Sequence, residues 1–195
     1  MNKDWTGSEA SSFTTLGATN YATGEREEHD YYATDPKALE LIIDKLGLSN
    51  NVWECACGGG HLSKVLEQHG YNVTSTDLYS NGYGISGIDF LKQTKPFNGD
   101  ILTNPPYKYA KDFVEKALEL TNNKVVMFLK IQFLETKKRK PLFTAYPPKY
   151  IYVSSSRINC AKNGDFKNCN GSAVCYAWYV WEKGYTGDTI LRWFN

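Results

Sequence analysis

The 195-residue chain is 42% hydrophobic and 14% aromatic, enough for one domain with a real core and too little for a second of comparable size. Charged residues make up 22% and the formal net charge is +1, which excludes an overall basic coat for nucleic acid but allows a local basic face. No apolar run approaches the length of a bilayer-spanning helix and no signal-peptide core is present, so a soluble, cytoplasmic protein with no membrane partner is expected.

Residues 1–30 are rich in Ser, Thr, Gly, Asn and charge without a clear period, and read as an irregular arm. "PKALELIIDKLGL" (36–48) places Leu39, Ile42, Ile43 and Leu46 on one helical face, with Thr34 or Asp35 to cap it, Pro36 in the first turn and Gly47 at the end. "NVWECA" (51–56) reads as a buried strand, "HLSKVLEQHG" (61–70) as a helix closed by Gly70, and "YNVTSTD" (71–77) as a strand ending in an acid. "DILTN" (100–104) is a short strand, "KYAKDFVEKALELT" (108–121) an amphipathic helix and "KVVMFLKI" (124–131) a buried strand. A helix is expected over "FLETKKRKPLFTA" (133–145), with Pro141 as the point where it bends or splits. "KYIYVSS" (149–155), "AVCYAWYVWEK" (173–183) and "TILRWF" (189–194) are β-rich, and residues 156–172 read as a long polar loop.

Strands alternating with helices, followed by a β-rich end, describe an α/β fold. A doubly wound, mostly parallel sheet with an antiparallel strand near the C-terminus is expected over 31–195. The five cysteines are Cys55, Cys57, Cys160, Cys169 and Cys175. Their odd number argues for free thiols, and their spacing with the three histidines fits no common zinc finger or ribbon, so no metal centre is expected.

"WECACGGGHL" lies where the first strand of the sheet turns into a helix, and glycines there let backbone pass close to a ligand. Gly58-Gly59-Gly60 fits neither the dinucleotide G-x-G-x-x-G spacing nor a phosphate loop. Glu54 at the strand end suits a ligand carrying an amino group, and a plain tight turn is the alternative. Asp77 ends the next strand, where a carboxylate can accept ribose hydroxyls, and Asp89-Phe90 can receive an adenine amino group beside a ring. Each acid alone reads more readily as a solvated loop residue; three at successive strand ends favour a ligand.

Asn104-Pro105-Pro106-Tyr107 follows a strand directly. Proline has no N–H, and the residue before proline is held extended, so the corner offers carbonyl acceptors, the Asn104 side-chain oxygen and the face of Tyr107. That set suits a flat ring bearing an exocyclic amine, with a strand-ending turn as the plain alternative.

In this order the residues resemble S-adenosylmethionine-dependent amino-methyltransferases, in particular DNA adenine-N6 methyltransferases of the small phage type. "DYYATDPKALELI" (30–42), containing Tyr32, Ala33 and Thr34, is similar to the family's N-terminal cofactor motif. "ECACGGG" (54–60) is similar to its glycine motif, which implies cofactor contacts at Glu54, Cys55, Ala56, Gly58 and Gly60. Asp77 with Leu78 resembles the ribose contact, Asp89-Phe90 the adenine contact, and Asn104-Pro105-Pro106-Tyr107 the catalytic motif. "FLETKKR" (133–139) and "YAWYVWEKGY" (176–185) extend the likeness over nearly the whole chain. The glycine motif departs from the family in its Cys55-Ala56-Cys57 and consecutive glycines, and no segment has the length of a target-recognition insert. The resemblance implies a Rossmann-like methyltransferase sheet, S-adenosylmethionine as cofactor and DNA with a flipped-out adenine as partner. Lys137, Lys138 and Arg139 then become candidates to track phosphates, alternatively a solvated helix face, as do Lys162 and Lys167. An RNA amino group, a protein glutamine amide and a non-catalytic binding module are the other readings.

Overall fold

Residues 32–156, 158, 160–162 and 174–195 are described by the computed structural model. The expected arm over 1–30, most of the loop over 156–172, and Lys167 and Cys169 within it lie outside these residues.

Consecutive apolar residues along the central strands fix the architecture, because a strand turns alternate side chains to opposite faces. Strand β1 is Tyr32–Thr34, β2 is Asn51–Glu54, β3 is Asn72–Ser75 and β4 is Asp100–Thr103. Strand β5 is Lys124–Lys130, β6 is Tyr150–Ser154, β7 is Cys160–Lys162, β8 is Tyr176–Glu182 and β9 is Ile190–Phe194. In β5, Val125, Met127 and Leu129 enter one core while Val126 and Phe128 enter the other. In β8, Ala177, Tyr179 and Trp181 oppose Trp178 and Val180 in the same way. Both strands are therefore central, with helices required on both sides of the sheet.

Seven strands run in the order β3-β2-β4-β5-β8-β6-β9. Pairing is parallel from β3 to β5, antiparallel on both sides of β8, and parallel again between β6 and β9. This is the doubly wound, mostly parallel sheet read from the sequence, with its reversed strand near the C-terminus. Helices α1 (Lys37–Glu40), α2 (Ile43–Leu46) and α3 (His61–Gln68) pack on one face, and α4 (Ala110–Leu120) on the other. Two tryptophans reach across to loop and helix carbonyls: Trp178 Nε1 donates to Ala38 at 2.9 Å and Trp181 Nε1 to Tyr146 at 2.9 Å. Among the described residues no helix is long and apolar enough to cross a membrane.

Three elements differ from the sequence expectation. The single helix expected over 36–48 is two short ones, parted at Ile42, whose φ is −132°. The adjacent Ile42 and Ile43 are both buried, and the break lets two neighbouring β-branched side chains turn inward together. The Asp35 carboxylate accepts from the Lys37 N–H at 3.0 Å, and Gly47 closes the segment at φ 53°. Residues 133–145 are likewise not one helix. A 3-10 turn over Ile131–Leu134 is followed by Thr136 at φ 92°, and only Lys140–Ala145 is helical, forming α5. Pro141 sits in the first turn of α5, where its missing N–H breaks no helical bond, so it starts the helix instead of bending it. Finally, Cys160–Lys162, expected as loop, pairs antiparallel with β1 in a separate two-stranded ribbon.

At the amino end of the sheet the buried Asp100 carboxylate accepts from the Ser49 N–H and, at 2.9 Å, from the Lys124 N–H. It joins the starts of three neighbouring strands. Asp100→Ala leaves two donors without their acceptor, and a loss of about 2–4 kcal/mol in unfolding free energy is expected from urea denaturation.

Candidate active site

Strand β2 leads through α3 to β3 on one side, and β4 leads through α4 to β5 on the other, so the winding reverses between β2 and β4. In open α/β sheets the carboxyl ends of strands part at such a point and leave a crevice. Glu54 ends β2 and Asn104 follows β4 there, and both line a hollow of about 750 Å³.

The glycine turn forms one wall. Gly58 and Gly60 take φ values of 51° and 76°, which favour glycine. A Cβ on Gly60 would lie 2.3 Å from the Tyr83 ring, so this position also needs the bare backbone for space. The turn is sewn to the end of β3: the Cys57 N–H donates to the Thr76 carbonyl at 3.0 Å and the Gly58 N–H to Asp77 Oδ2 at 2.8 Å. Asp77 Oδ1 accepts from the Tyr79 N–H at 2.9 Å. Asp77 is thus both a wall of the hollow and the tie that shapes it.

Glu54 is buried, and Ser63 Oγ donates to its Oε2 while meeting Ser75 Oγ at 2.6 Å. Burial raises the Glu54 pKa to about 8, with the Ser63 hydroxyl opposing the rise and the Asp77 charge adding to it. Cys55 and Cys57 are buried thiols on the same wall, and burial followed by the Glu54 charge pushes both up, Cys57 to about 12. Both are neutral thiols, whereas Cys175 is exposed. Burial, then the Lys64 ammonium, lowers the His61 imidazole, and Asp35 opposes them.

Asp89 caps the 3-10 turn Phe90–Lys92 by accepting from the Leu91 N–H at 3.1 Å, and its other oxygen pairs with Lys92 Nζ at 3.1 Å. Phe90 packs edge-on against Trp53, ring centroids 5.2 Å apart. Opposite these, Asn104 Nδ2 donates to Thr34 Oγ1 at 2.8 Å, tying the proline corner to β1. Asn104 Oδ1 and Pro105 are buried. Pro106 is extended (φ −55°, ψ 125°) and its carbonyl accepts from the Tyr109 N–H at 2.9 Å. That bond starts the 3-10 turn Tyr107–Tyr109.

Of the residues singled out in the sequence, Ala33, Thr34, Glu54, Cys55, Ala56, Asp77, Leu78, Asp89, Phe90, Asn104, Pro106 and Tyr107 line this one hollow. Gly58, Gly60 and Pro105 are not among its lining residues, and the backbone of Tyr32 pairs with Lys162 in the ribbon. Lys137, Lys138 and Arg139 are not among its lining residues. Lys137 and Lys138 are exposed, but Arg139 folds back: its Nη1 donates to the carbonyls of Gln132, Phe133 and Glu135 at 3.1, 3.3 and 3.1 Å. Its guanidinium also lies 4.7 Å from the Phe133 ring centre, so Arg139 holds the turn after β5 together. Sequence reasoning passed over Cys57, His61, Tyr79, Asn81, Ile88, Lys108 and Tyr109, which also line the hollow. All but Ile88 lie within seven residues after the end of β2, β3 or β4, and reading every such exit as wall would have found most of them.

Solved structures share this fold. The 23S rRNA methyltransferase ErmE aligns with 78% of this chain and 70% of its own, at 17% identity and a TM-score of 0.56. The magnesium protoporphyrin IX methyltransferase of Synechocystis PCC 6803, solved with S-adenosylmethionine bound, aligns with 76% of this chain and 79% of its own, at 12% identity and a TM-score of 0.53. An S-adenosylmethionine-dependent O-methyltransferase from Thermotoga maritima aligns with 78% and 67%, at 13% identity and a TM-score of 0.54. At these identities the likeness is one of fold. No family model and no curated protein matches the chain.

The Glu54 carboxyl gives a testable pH dependence. Its ordinary value is 4.5 and its folded value about 8, so between these limits the folded chain holds a proton that the unfolded chain has lost. Stability attributable to this group is full below that window and declines as pH rises through it. Glu54→Gln, which retains an acceptor for Ser63, is expected to flatten the decline in urea midpoints measured across the window.

Proposed function

We propose that the protein transfers a methyl group from S-adenosylmethionine to the exocyclic N6 amino group of adenine in DNA. The observation that carries this reading is the single hollow shared by the strand-end acids Glu54, Asp77 and Asp89 and the corner Asn104–Tyr107. A cofactor side and an amine-receiving side open onto the same space. Its volume falls in the range of about 300–1,000 Å³ common to small-molecule sites.

The residues present fit such a cofactor. A carboxylate has about four lone-pair directions, so Asp77 can accept from a ribose while holding the Gly58 and Tyr79 N–H groups. Asp89 and the apolar wall of Phe90 suit an adenine ring and its amino group, and Glu54 lies where an amino group of the ligand would enter. When bound, S-adenosylmethionine supplies a methyl group on a positively charged sulfur, which is already an activated leaving group.

The corner would then act on the target amine, a poor nucleophile because its lone pair is delocalised into the ring. Asn104 Oδ1 and the Pro105 carbonyl accept its two N–H groups, concentrating electron density on nitrogen and stabilising positive charge as it grows. Thr34 orients the Asn104 amide by accepting one Nδ2 hydrogen. Oδ1 and Pro105 are buried, so this reading requires the residues that cover them to move aside when the amine enters. No dedicated base is needed, because the methylated cation readily loses its proton to water. In a duplex the adenine swings out of the stack, and Tyr107 recovers part of the cost, with base–aromatic stacking worth about 1–3 kcal/mol. Lys137 and Lys138 are exposed and suit phosphate contacts, whereas Arg139 already has a structural use.

A second reading, an RNA amino group as acceptor, draws on the likeness in fold to a 23S rRNA methyltransferase.

Incubation with labelled S-adenosylmethionine and unmodified DNA, RNA or glutamine-containing protein separates these readings. Nucleoside analysis is expected to find N6-methyladenine from DNA; label in RNA or protein alone would overturn the choice of DNA. Asn104→Ala is expected to lower transfer by about 100-fold or more. Isothermal titration should find its cofactor affinity nearly unchanged, and undiminished transfer would remove Asn104 from the mechanism.

A further inference from the structure

Lys108 and Tyr109 line the hollow, yet the transfer described above gives their side chains no role. Both are exposed, Tyr109 at 43%, although its ring is large and largely apolar. Lys108 Nζ lies 5.2 Å from the centre of the Tyr109 ring. Among the described residues no carboxylate pairs with Lys108, whereas Lys92 pairs with Asp89, Lys111 with Glu115 and Lys116 with Glu119. The backbone beneath the two side chains is nonetheless fixed. The Tyr109 N–H donates to the Pro106 carbonyl at 2.9 Å, and the next residue, Ala110, is buried at the start of α4. Successive residues of a 3-10 turn stand about 120° apart around its axis, so Tyr107 and Tyr109 leave the turn in different directions.

We propose that Lys108 and Tyr109 form a lip that holds the DNA beside the target adenine, Lys108 pairing with a flanking phosphate and Tyr109 stacking on the neighbouring base. An ammonium carries three donors on a flexible stem and binds phosphate as a point charge. Its attraction to a ring face is weak at an exposed site, so the same Nζ can turn to a phosphate at little cost. The Tyr109 ring offers a flat surface that every base can stack on, which suits a contact next to the reacting nucleotide. When the adenine swings out, the adjacent base loses a stacking partner, and a ring on the rim replaces it. With a net charge of only +1 the chain has no broad field to attract DNA, so contacts at the mouth count for more. The inference rests on DNA as the substrate and adds the contact that holds its strand at the entrance.

Fluorescence anisotropy of a labelled, adenine-rich duplex reads the contact directly, with S-adenosylhomocysteine present so that no methyl group is transferred. Lys108→Met in the full chain is expected to weaken binding about three- to tenfold and to lower the slope of log affinity against log salt by about one. Tyr109→Ala is expected to weaken it about five- to fiftyfold, whereas Tyr109→Phe keeps the ring and binds as the wild type does. Lys95→Met removes an exposed charge that does not line the hollow and is expected to change little. Thermal unfolding checks that each variant is folded, and isothermal titration should find S-adenosylmethionine affinity nearly unchanged. An unaltered salt slope in Lys108→Met, full affinity in Tyr109→Ala, or an equal loss in Lys95→Met overturns the lip. So does a loss of S-adenosylmethionine affinity as large as the loss for DNA, because both side chains would then be cofactor wall. If the variants lose duplex binding as expected while the wild-type protein methylates no DNA, the lip stands and the proposed reaction falls.

Discussion

The Asp77 carboxylate takes the Gly58 N–H with one oxygen and the Tyr79 N–H with the other, and so joins the turn after β2 to the loop after β3. Both bonds involve a charged acceptor, and such bonds are roughly twice as strong as neutral ones. Without them the glycine turn, with two residues at positive φ, would lose its charged tie to the exit of β3. Its shape decides how near a ligand can come to the end of β2. The reversal of winding between β2 and β4 opens the crevice, and this carboxylate gives the crevice a fixed wall.

A second constraint lies beneath that wall. Glu54, Ser63 and Ser75 form a continuous run of side-chain oxygens, buried at Glu54 and Ser63. A charged carboxylate there would need compensation that two hydroxyls do not provide, and burial resolves the conflict by holding Glu54 in its neutral form. The same environment keeps the Cys55 and Cys57 thiols protonated, so the pocket wall is chemically quiet despite its two sulfurs and its acid.

The sheet was legible because its signals are local. Val125-Val126-Met127-Phe128-Leu129 is a strand buried on both faces by composition alone, and the positions of Glu54, Asp77 and Asn104 at strand ends follow once the winding is known. What the acids do was less legible. Asp89 spends one oxygen on the Leu91 N–H and the other on Lys92, and nothing in the sequence separates that from a ligand contact. The β1–β7 ribbon escaped for another reason: each strand has three residues, and their partners lie about 130 positions apart, so neither segment carries a periodic signal of its own. Residues 133–145 misled because helix formers such as Leu134, Glu135 and Lys137 outnumber the signs of a break. Arg139 overrides their propensity by gathering the carbonyls of the preceding turn.

The bond from Asn104 to Thr34 spans seventy positions in sequence and connects the main sheet to that small ribbon. A chain trimmed to the seven-stranded sheet could still pack both hydrophobic layers, and its secondary structure would look intact. Yet it would lose the bond that orients the Asn104 amide, the group to which the proposed reaction assigns an acceptor. On that proposal the packing of the sheet and the aim of one site amide belong to different parts of the chain, with the ribbon supplying the second.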